Sequence, residues 1–236
     1  MSQPRPDREQ RRRAILDAAR EAFCAHGYDQ AAVSEIAARV GVVEGTVYRY
    51  FDSKHDLLMQ VLSDWYQTMF GDYADALAGV SGARTRLRLL IWRHLRTIHD
   101  APELCRLMFR EARDDIGDAN AELRKLNRRY TRFLVDVLEE GVAQGEFRDG
   151  VAPTLFRDLV YGGIEHYCWR YLTGQGELDI DQAAEQISDI FCHGIALPGD
   201  ALSRETRRLS ELVARLEHLL PDNPRAPQSH AKMQSS

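Results

Sequence analysis

Residues 33–51, VSEIAARVGVVEGTVYRYF, determine how the rest of the chain is interpreted. Their first half repeats apolar residues at the i, i+3, i+4, i+7 spacing of a short amphipathic helix, at Val33, Ile36, Ala37 and Val40. Gly41 follows where such a helix would stop, and a short turn leads to a second helix from about Glu44. Two short helices joined by a glycine-containing turn are typical of a helix-turn-helix, whose second helix enters the major groove of DNA. From spacing alone, an ordinary helical hairpin in a core remains an open alternative.

The composition is that of an ordinary soluble globular protein of 236 residues, with 44% hydrophobic and 28% charged residues. No apolar run approaches the ~20 residues that span a bilayer, and the charged N-terminus lacks the apolar core of a secretory signal. We therefore expect a cytoplasmic protein with no membrane partner.

The charge is unevenly distributed along the chain. The net charge is −5, yet residues 1–54 carry nine Lys and Arg against eight Asp and Glu, whereas the remainder carries 22 against 28. This asymmetry suits an N-terminus that faces DNA on an acidic body. For the arginines concentrated between Arg5 and Arg13, a solvated helix start is the alternative.

Helical periodicity continues along the chain and predicts an all-α fold. Further helices are expected at about 8–26, 54–78, 83–99, 103–113, 119–144, 153–173, 181–197 and 203–220. We predict a helix-turn-helix domain with an N-terminal arm at 1–54 and a ligand-binding and dimerisation domain at 55–200. An additional amphipathic helix is expected at 201–220, followed by a disordered tail at 221–236.

Two of these helices have apolar residues at helical spacing. Ser53 is the expected N-cap of the helix at 54–78, with the Asp56 carboxylate three residues further on. Its expected inner residues are Leu57, Leu58, Val61, Leu62, Trp65, Met69 and Phe70. The stripe of the helix at 181–197 is Ala184, Ile187, Ile190, Phe191 and Gly194.

Many positions between residues 12 and 58 match one known pattern. They are RRAILDAA at 12–19, Phe23, Gly27-Tyr28, Ile36-Ala37, Gly41-Val42, GTVY at 45–48, Tyr50-Phe51, Ser53-Lys54 and Leu57-Leu58. Together they resemble the N-terminal domain of TetR/AcrR-family transcriptional regulators, and the match is specific because it is continuous. The resemblance implies nine helices, a homodimer built on the last two and a ligand pocket in the C-terminal domain.

The resemblance also assigns DNA-contacting residues. It places Thr46 and Arg49 on the exposed face of the second, recognition helix, and Lys54 beside a phosphate. The physical chemistry agrees, because a guanidinium can bind guanine in bidentate fashion and a lysine at a helix start suits phosphate. Tyr48 would meet the DNA backbone or bases, with a core position as the open alternative. The complete predicted set is Ser34, Val43, Glu44, Gly45, Thr46, Tyr48, Arg49, Tyr50 and Lys54.

Two helix starts depart from the family pattern. The family usually has Thr at the start of the first helix of the motif and Ser at the start of the recognition helix. Here Ala31-Ala32 and Val43 occupy these positions, so two capping hydroxyls worth ~1 kcal/mol each are missing. Glu44 suits the helix dipole but repels phosphate. DNA binding is expected to be weaker, or to depend more on the arginines between Arg5 and Arg13.

The second domain is predicted to hold a mainly apolar cavity with a few polar anchors, the usual form of a small-molecule site. Its predicted ligand-binding residues are Trp65, Trp92, His99, Phe109, Arg110, Tyr130, Tyr161 and Trp169. Arg106, Arg110 and Arg113 would pair with an anionic head group, or else form a solvated face. The expected effector is an apolar compound with a polar end, such as a fatty acyl compound.

The sequence gives little support for an enzymatic function. The eight histidines show no H-E-x-x-H spacing, the four cysteines show no C-x-x-C spacing, and no glycine-rich phosphate loop is present. We predict no catalytic residues, no metal and no cofactor.

The sequence thus predicts a ligand-responsive DNA-binding regulator, most simply a repressor released from a palindromic operator by its effector. The partners would be double-stranded operator DNA, the small-molecule effector and a second copy, bound through helices near 154–173 and 181–197. Two alternatives stay open: a helical interaction protein that has lost specific operator binding, and a transcriptional activator.

Overall fold

The computed structural model describes residues 7–113 and 121–197, together with residues 209, 210, 212, 213 and 215. This part of the chain is helical throughout, without strands, which confirms the predicted all-α class. The helices are α1 (Arg8–Gln30), α2 (Val33–Arg39), α3 (Glu44–Val47), α4 (Lys54–Leu77), α5 (Ala83–Asp100), α6 (Pro102–Arg113), α7 (Ala121–Ala143), α8 (Pro153–Leu172) and α9 (Ile180–Gly194).

The predicted additional helix and tail lie almost wholly outside the described residues. The five described residues near the C-terminus, from Leu209 to Arg215, are helical and exposed. They belong to a unit separate from the one that ends at Ile195. Among the described residues, no helix combines the length and apolarity that a membrane span needs. The predicted boundary near residue 54 remains a prediction.

The N-terminal helices pack around one another as expected of a helix-turn-helix. Asp7 caps α1 in a reciprocal capping box with Gln10. The helix is interrupted at Gly27, whose φ of 74° lies in the left-handed region that favours glycine. Gly41, in the turn between α2 and α3, has φ 68° for the same reason. α3 is a single turn, shorter than expected, and its Val47 is buried.

The long helix α4 connects these helices to the rest of the molecule, packing on α1 and also on α5 and α7. Its cap is as predicted: Ser53 Oγ accepts from the amide of Asp56, whose carboxylate accepts from the amide of Asp52. Trp65 was expected on the inner face but is only half-buried, and Tyr66 is fully buried in its place. Neighbouring residues of a helix point about 100° apart around its axis. An error of one residue in the predicted phase of α4 therefore explains why Tyr66, and not Trp65, is buried.

The C-terminal helices surround α5, which contacts α4, α6, α7, α8 and α9. α8 has two apolar faces: one is buried, while Leu155 and Leu159 on the other are exposed. On α9, Ala184 of the predicted stripe is buried and Ile190 is 69% exposed. Ser188 is also buried, and its hydroxyl donates to the carbonyl of Ala184 one turn earlier.

Candidate functional site

The exposed surface of α2 and α3 brings the predicted DNA-contacting residues together. The exposed ones are Ser34, Val43, Glu44, Gly45, Tyr48 and Arg49, and the partly exposed ones are Thr46, Tyr50 and Lys54. Val47 and Phe51, one step around the helix, are buried and fix the orientation of this surface. A Cβ added to Gly45 would meet no other atom within 4 Å. The described part of the chain therefore does not cover this side of α3.

The cations of this region differ in how they are engaged. Arg49 is exposed and makes no ion pair with the part of the chain that the structure describes. Lys54 Nζ donates to the carbonyl of Asp29 at 3.1 Å and lies 4.8 Å from the ring centroid of Tyr28. Arg12 donates to Gln60 and stacks over Phe51, so it joins α1 to α4 within the domain. The prediction that placed Arg49 on the recognition helix is wrong, because α3 ends at Val47 and Arg49 lies in the turn that follows it. Arg49 is nevertheless the exposed cation of this surface that is most available for an external partner.

The two helix starts that depart from the family pattern lack side-chain caps. Ala32 and Val43 occupy the N-cap positions of α2 and α3, and neither helix receives a side-chain hydrogen bond there. Val43 is 74% exposed, so an apolar side chain stands at the tip of the recognition helix. A hydroxyl at either position would satisfy one of the free amides that each helix start leaves.

A cavity of about 310 Å³ lies among α5, α6, α7 and α8. Its walls are His94, Met108, Phe109, Asn127, Arg128, Tyr130, Thr131, Arg157, Asp158, Tyr161, Gly162 and Glu165. The predicted ligand residues Phe109, Tyr130 and Tyr161 are thus brought together here. Aromatic walls with a few polar groups are typical of small-molecule sites, and the volume lies at the small end of their range.

Hydrogen bonds connect the cavity wall to α4. His94 Nδ1 lies 2.7 Å from the hydroxyl of Tyr130, which lies 2.7 Å from the hydroxyl of Tyr73 on α4. A second link joins the hydroxyl of Tyr66 to Asn127 at 3.3 Å. Tyr73 and Asn127 were not predicted as site residues, and His94 was one of several core aromatic and amphipathic residues expected near a cavity without being placed in the ligand-binding set. No local signal shows that a polar group in a core faces a cavity.

A groove of about 520 Å³ lies between α1, α6 and α8. Its lining includes the predicted residues Phe109, Arg110 and Trp169 beside the apolar side chains of Phe23 and Leu107. Phe109 therefore lines both the groove and the cavity. Arg106 and Arg110 place two guanidiniums at this groove, where Arg106 donates to the carbonyl of Leu172 and Arg110 pairs with Asp29.

Three predicted ligand residues lie elsewhere. Trp65 lines a polar groove of about 510 Å³ between α1, α4 and α5. The indole of Trp92 donates to Asp181, and the ring of His99 stacks on Tyr171 at 5.6 Å. Neither Trp92 nor His99 lines the cavity or either groove. Their assignment to the ligand site would require a different rotation of α5.

The described residues contain no group of three or more His, Cys, Asp and Glu side chains that could hold a metal ion. The four cysteines form no disulfide with one another, and burial raises the pKa of the Cys168 thiol to about 12. A thiol with a raised pKa stays protonated and is a poor nucleophile at neutral pH.

Comparison with known proteins gives the class of this molecule. Residues 15–61 match the family model of bacterial regulatory proteins of the tetR family, and residues 81–195 match a tetracyclin repressor-like C-terminal domain. The transcriptional repressor KstR2 of Mycolicibacterium smegmatis is 31% identical over 196 residues, covering 78% of this chain and 90% of that protein. The fatty acid metabolism regulator of Bacillus subtilis is 26% identical over 195 residues, covering 83% and 98%.

A solved structure has the same fold. The crystal structure of the transcriptional regulator FadR from Bacillus subtilis, in complex with stearoyl-CoA, superposes with a TM-score of 0.70 at 24% identity. It covers 78% of this chain and 98% of FadR. The chain belongs to the tetR family of bacterial regulatory proteins. It is a ligand-responsive, DNA-binding transcriptional regulator, and the relatives it matches are regulators rather than enzymes.

Proposed function

We propose that the protein is a cytoplasmic homodimeric repressor that leaves a palindromic operator when an amphipathic effector occupies the cavity among α5–α8. The observation that carries this proposal is that α4 is hydrogen-bonded to the cavity wall at one end and packs on the N-terminal helices at the other. Tyr73 on α4 bonds to Tyr130 of the cavity wall, and α4 packs on α1, which packs on α2. Thr46 on α3 and Arg49 just after it are on the surface of this N-terminal group of helices. A ligand in the cavity can therefore bias the position of α4.

The proposed dimer interface is the exposed apolar face of α8 together with α9. Leu155, Leu159 and Ile190 are exposed there, although large apolar side chains are normally buried. A Cβ added to Gly162 or Gly163 would meet nothing within 4 Å of its own chain. Small residues on an exposed helix face permit a second backbone to approach closely, as in a four-helix interface between two copies.

Leu159→Glu tests this interface. A carboxylate in the centre of an apolar contact is costly to bury, so we expect the variant to be monomeric where the natural protein is dimeric. Light scattering coupled to size-exclusion chromatography measures the mass directly. Ala74→Glu, which places the same carboxylate on the exposed face of α4, is the matched control and should leave the dimer intact. A dimeric Leu159→Glu variant would place the interface elsewhere.

The proposed effector has an apolar body and an anionic head, as an acyl-CoA does. The aromatic cavity suits the apolar body, and Arg106 and Arg110 in the adjoining groove suit the head. Phe109, which lines both spaces, lies where such a ligand would pass from one to the other. The likeness to a regulator solved in complex with stearoyl-CoA supports this class.

Two measurements test the proposal as a whole. A selection from random duplexes at low ionic strength should enrich a near-palindrome whose half-sites are about 34–36 Å apart or a multiple of this spacing. Short- and long-chain acyl-CoAs, free fatty acids and free CoA are then compared for thermal stabilisation and for release of the selected duplex. Binding of all duplexes alike, with a steep salt dependence, would favour the helical interaction protein. Release by none of the acyl compounds would exclude the effector class.

A further inference from the structure

Glu44 is an exposed carboxylate on the DNA-contacting surface, and it has no partner within the described part of the chain. It is the first residue of α3, and neither a hydrogen bond nor an ion pair engages its side chain there. Two cations of the N-terminal helices are engaged elsewhere: Arg39 pairs with Glu21 at 3.3 Å, and Lys54 donates to the carbonyl of Asp29 at 3.1 Å. The carboxylate of Glu44 is therefore open to a donor from an outside partner.

The surroundings of Glu44 are equally open. Val43 before it is 74% exposed, Tyr48 in the turn after α3 is 43% exposed, and a Cβ at Gly45 would meet no other atom within 4 Å. In a helix-turn-helix, the N-terminal residues of the second helix contact base edges in the major groove. Since the chain belongs to a family of DNA-binding regulators, we expect the side chain of Glu44 to reach base edges.

The four bases differ in what their major-groove edges offer a carboxylate, which accepts hydrogen bonds and donates none. Guanine presents two acceptors, and thymine presents an acceptor and a methyl group. Adenine presents a donor beside an acceptor, whereas cytosine presents only the donor of its N4 amino group. Cytosine is thus the base that offers a carboxylate a hydrogen bond without an opposing acceptor.

We propose that Glu44 selects cytosine at one position of each operator half-site by accepting a hydrogen bond from the N4 amino group. This inference rests on the operator binding of the proposed function and adds a base-reading side chain to it. The contact offsets the repulsion between the carboxylate and the phosphates on duplexes that carry the cytosine. On other duplexes the repulsion is uncompensated, so Glu44 acts mainly against wrong sequences.

Selections from random duplexes, made with the natural protein and with single variants, test which base is read. The natural protein should enrich cytosine at one position of the half-site. Glu44→Gln should replace it by adenine, because glutamine binds N6 and N7 of adenine in bidentate fashion, and Glu44→Ala should show no preference there. Glu35→Gln is the matched control, since it removes the same charge from an exposed position of α2. It should leave the cytosine preference unchanged.

A duplex with one altered base measures the contact itself. The selected cytosine is replaced by 2-pyrimidinone, which is cytosine without the 4-amino group. The natural protein should bind this duplex about 10- to 150-fold more weakly, the range expected of one hydrogen bond to a charged group. Glu44→Ala should show only the smaller loss that the weakened base pair causes. Equal losses in the two proteins overturn the proposal, as does a cytosine preference that survives in Glu44→Ala.

The remaining outcomes separate this inference from the proposed function. An equal gain in affinity of Glu44→Ala on all duplexes would make Glu44 a source of phosphate repulsion alone and overturn the base reading. A near-palindrome with the same base preferences in the natural protein and in Glu44→Ala would contradict only this inference. Enrichment of no sequence by the natural protein would contradict both proposals, whereas failure of every acyl compound to release the selected duplex would leave the reading by Glu44 intact.

Discussion

Gly141 on α7 is the described glycine with the least room for a side chain. A Cβ there would lie 2.2 Å from the ring of Phe147 and 2.7 Å from the Cβ of Ala83, both of which are buried. We expect Gly141→Ala to lower the free energy of unfolding by roughly 1–3 kcal/mol, the usual cost of overpacking. Denaturant unfolding measures the effect.

The control for that change is Gly71→Ala on α4. A Cβ at Gly71 would meet nothing within 4 Å, and its backbone is helical. Alanine is the better helix former by up to ~1 kcal/mol, so this variant should be as stable as the natural protein or slightly more stable. Equal losses in the two variants would show that contact with Phe147 is not the cause of the effect.

Arg49 is the residue on which sequence-specific binding is expected to depend. It is exposed in the turn that follows α3 and makes no ion pair within the described chain. Arg49→Ala should cost about 1–3 kcal/mol on the preferred duplex and relax the base preference at one position. Titrations on the preferred duplex and on single-base variants measure both quantities. A uniform loss on all duplexes would make Arg49 a phosphate contact, the role expected of Lys54.

At the scale of the helices, periodicity and capping predicted most of the fold. The described helices agree with the predicted ones within a few residues, because apolar spacing, Ser53 and the glycines at 27 and 41 are local signals. The rotation of a helix was harder to predict than its bounds. Trp65 was placed on the inner face of α4, where Tyr66 is buried, since two adjacent aromatic residues leave the helix phase ambiguous.

The DNA-contacting surface could be predicted from the sequence more completely than the ligand cavity. The DNA-contacting surface is formed by one continuous segment, so its residues could be found from the sequence. The cavity is formed by four helices, and its membership depends on how they rotate against one another. Phe109, Tyr130 and Tyr161 were found as aromatic residues, whereas the His94–Tyr130–Tyr73 chain exists only in three dimensions.

Val43→Ser is the prediction that belongs to α3. Serine at this N-cap can accept from the amide of Thr46 or Gly45, which α3 now lacks as a side-chain bond. The variant should gain ~1 kcal/mol in stability of the N-terminal helices, measured as amide hydrogen exchange in α3. It should also bind the preferred duplex more tightly. Val43→Ala, which removes the apolar bulk without adding an acceptor, is the control, and an equal gain there would exclude capping as the cause.

At the scale of the whole molecule, Tyr73 is expected to couple effector binding in the cavity to operator binding. Tyr73→Phe removes the hydroxyl that joins α4 to Tyr130 while keeping the buried ring. Effector binding should change little, but the factor by which the effector weakens operator binding should fall from the 5- to 150-fold typical of allosteric coupling. Operator titrations with and without a saturating effector give this factor.

Tyr171→Phe is the matched control for that measurement. Its hydroxyl donates to the carbonyl of His99, away from the cavity, so its loss should leave the coupling factor unchanged. If Tyr73→Phe also leaves the factor unchanged, α4 responds to the cavity through side-chain packing alone, and the hydrogen-bond chain serves only to orient His94.

Phe109 lies between the aromatic cavity and the groove beside α1, so the response to an effector should depend on the effector's length. A short compound would fill the cavity and stop at this ring, whereas a longer one would displace the ring and press on the first helix of the DNA-binding end. The part of the effector in the cavity would then set its potency, and the part that reaches the groove would set the maximal response. Short homologues would behave as partial inducers, occupying every protein copy at saturation yet leaving the gene only half expressed.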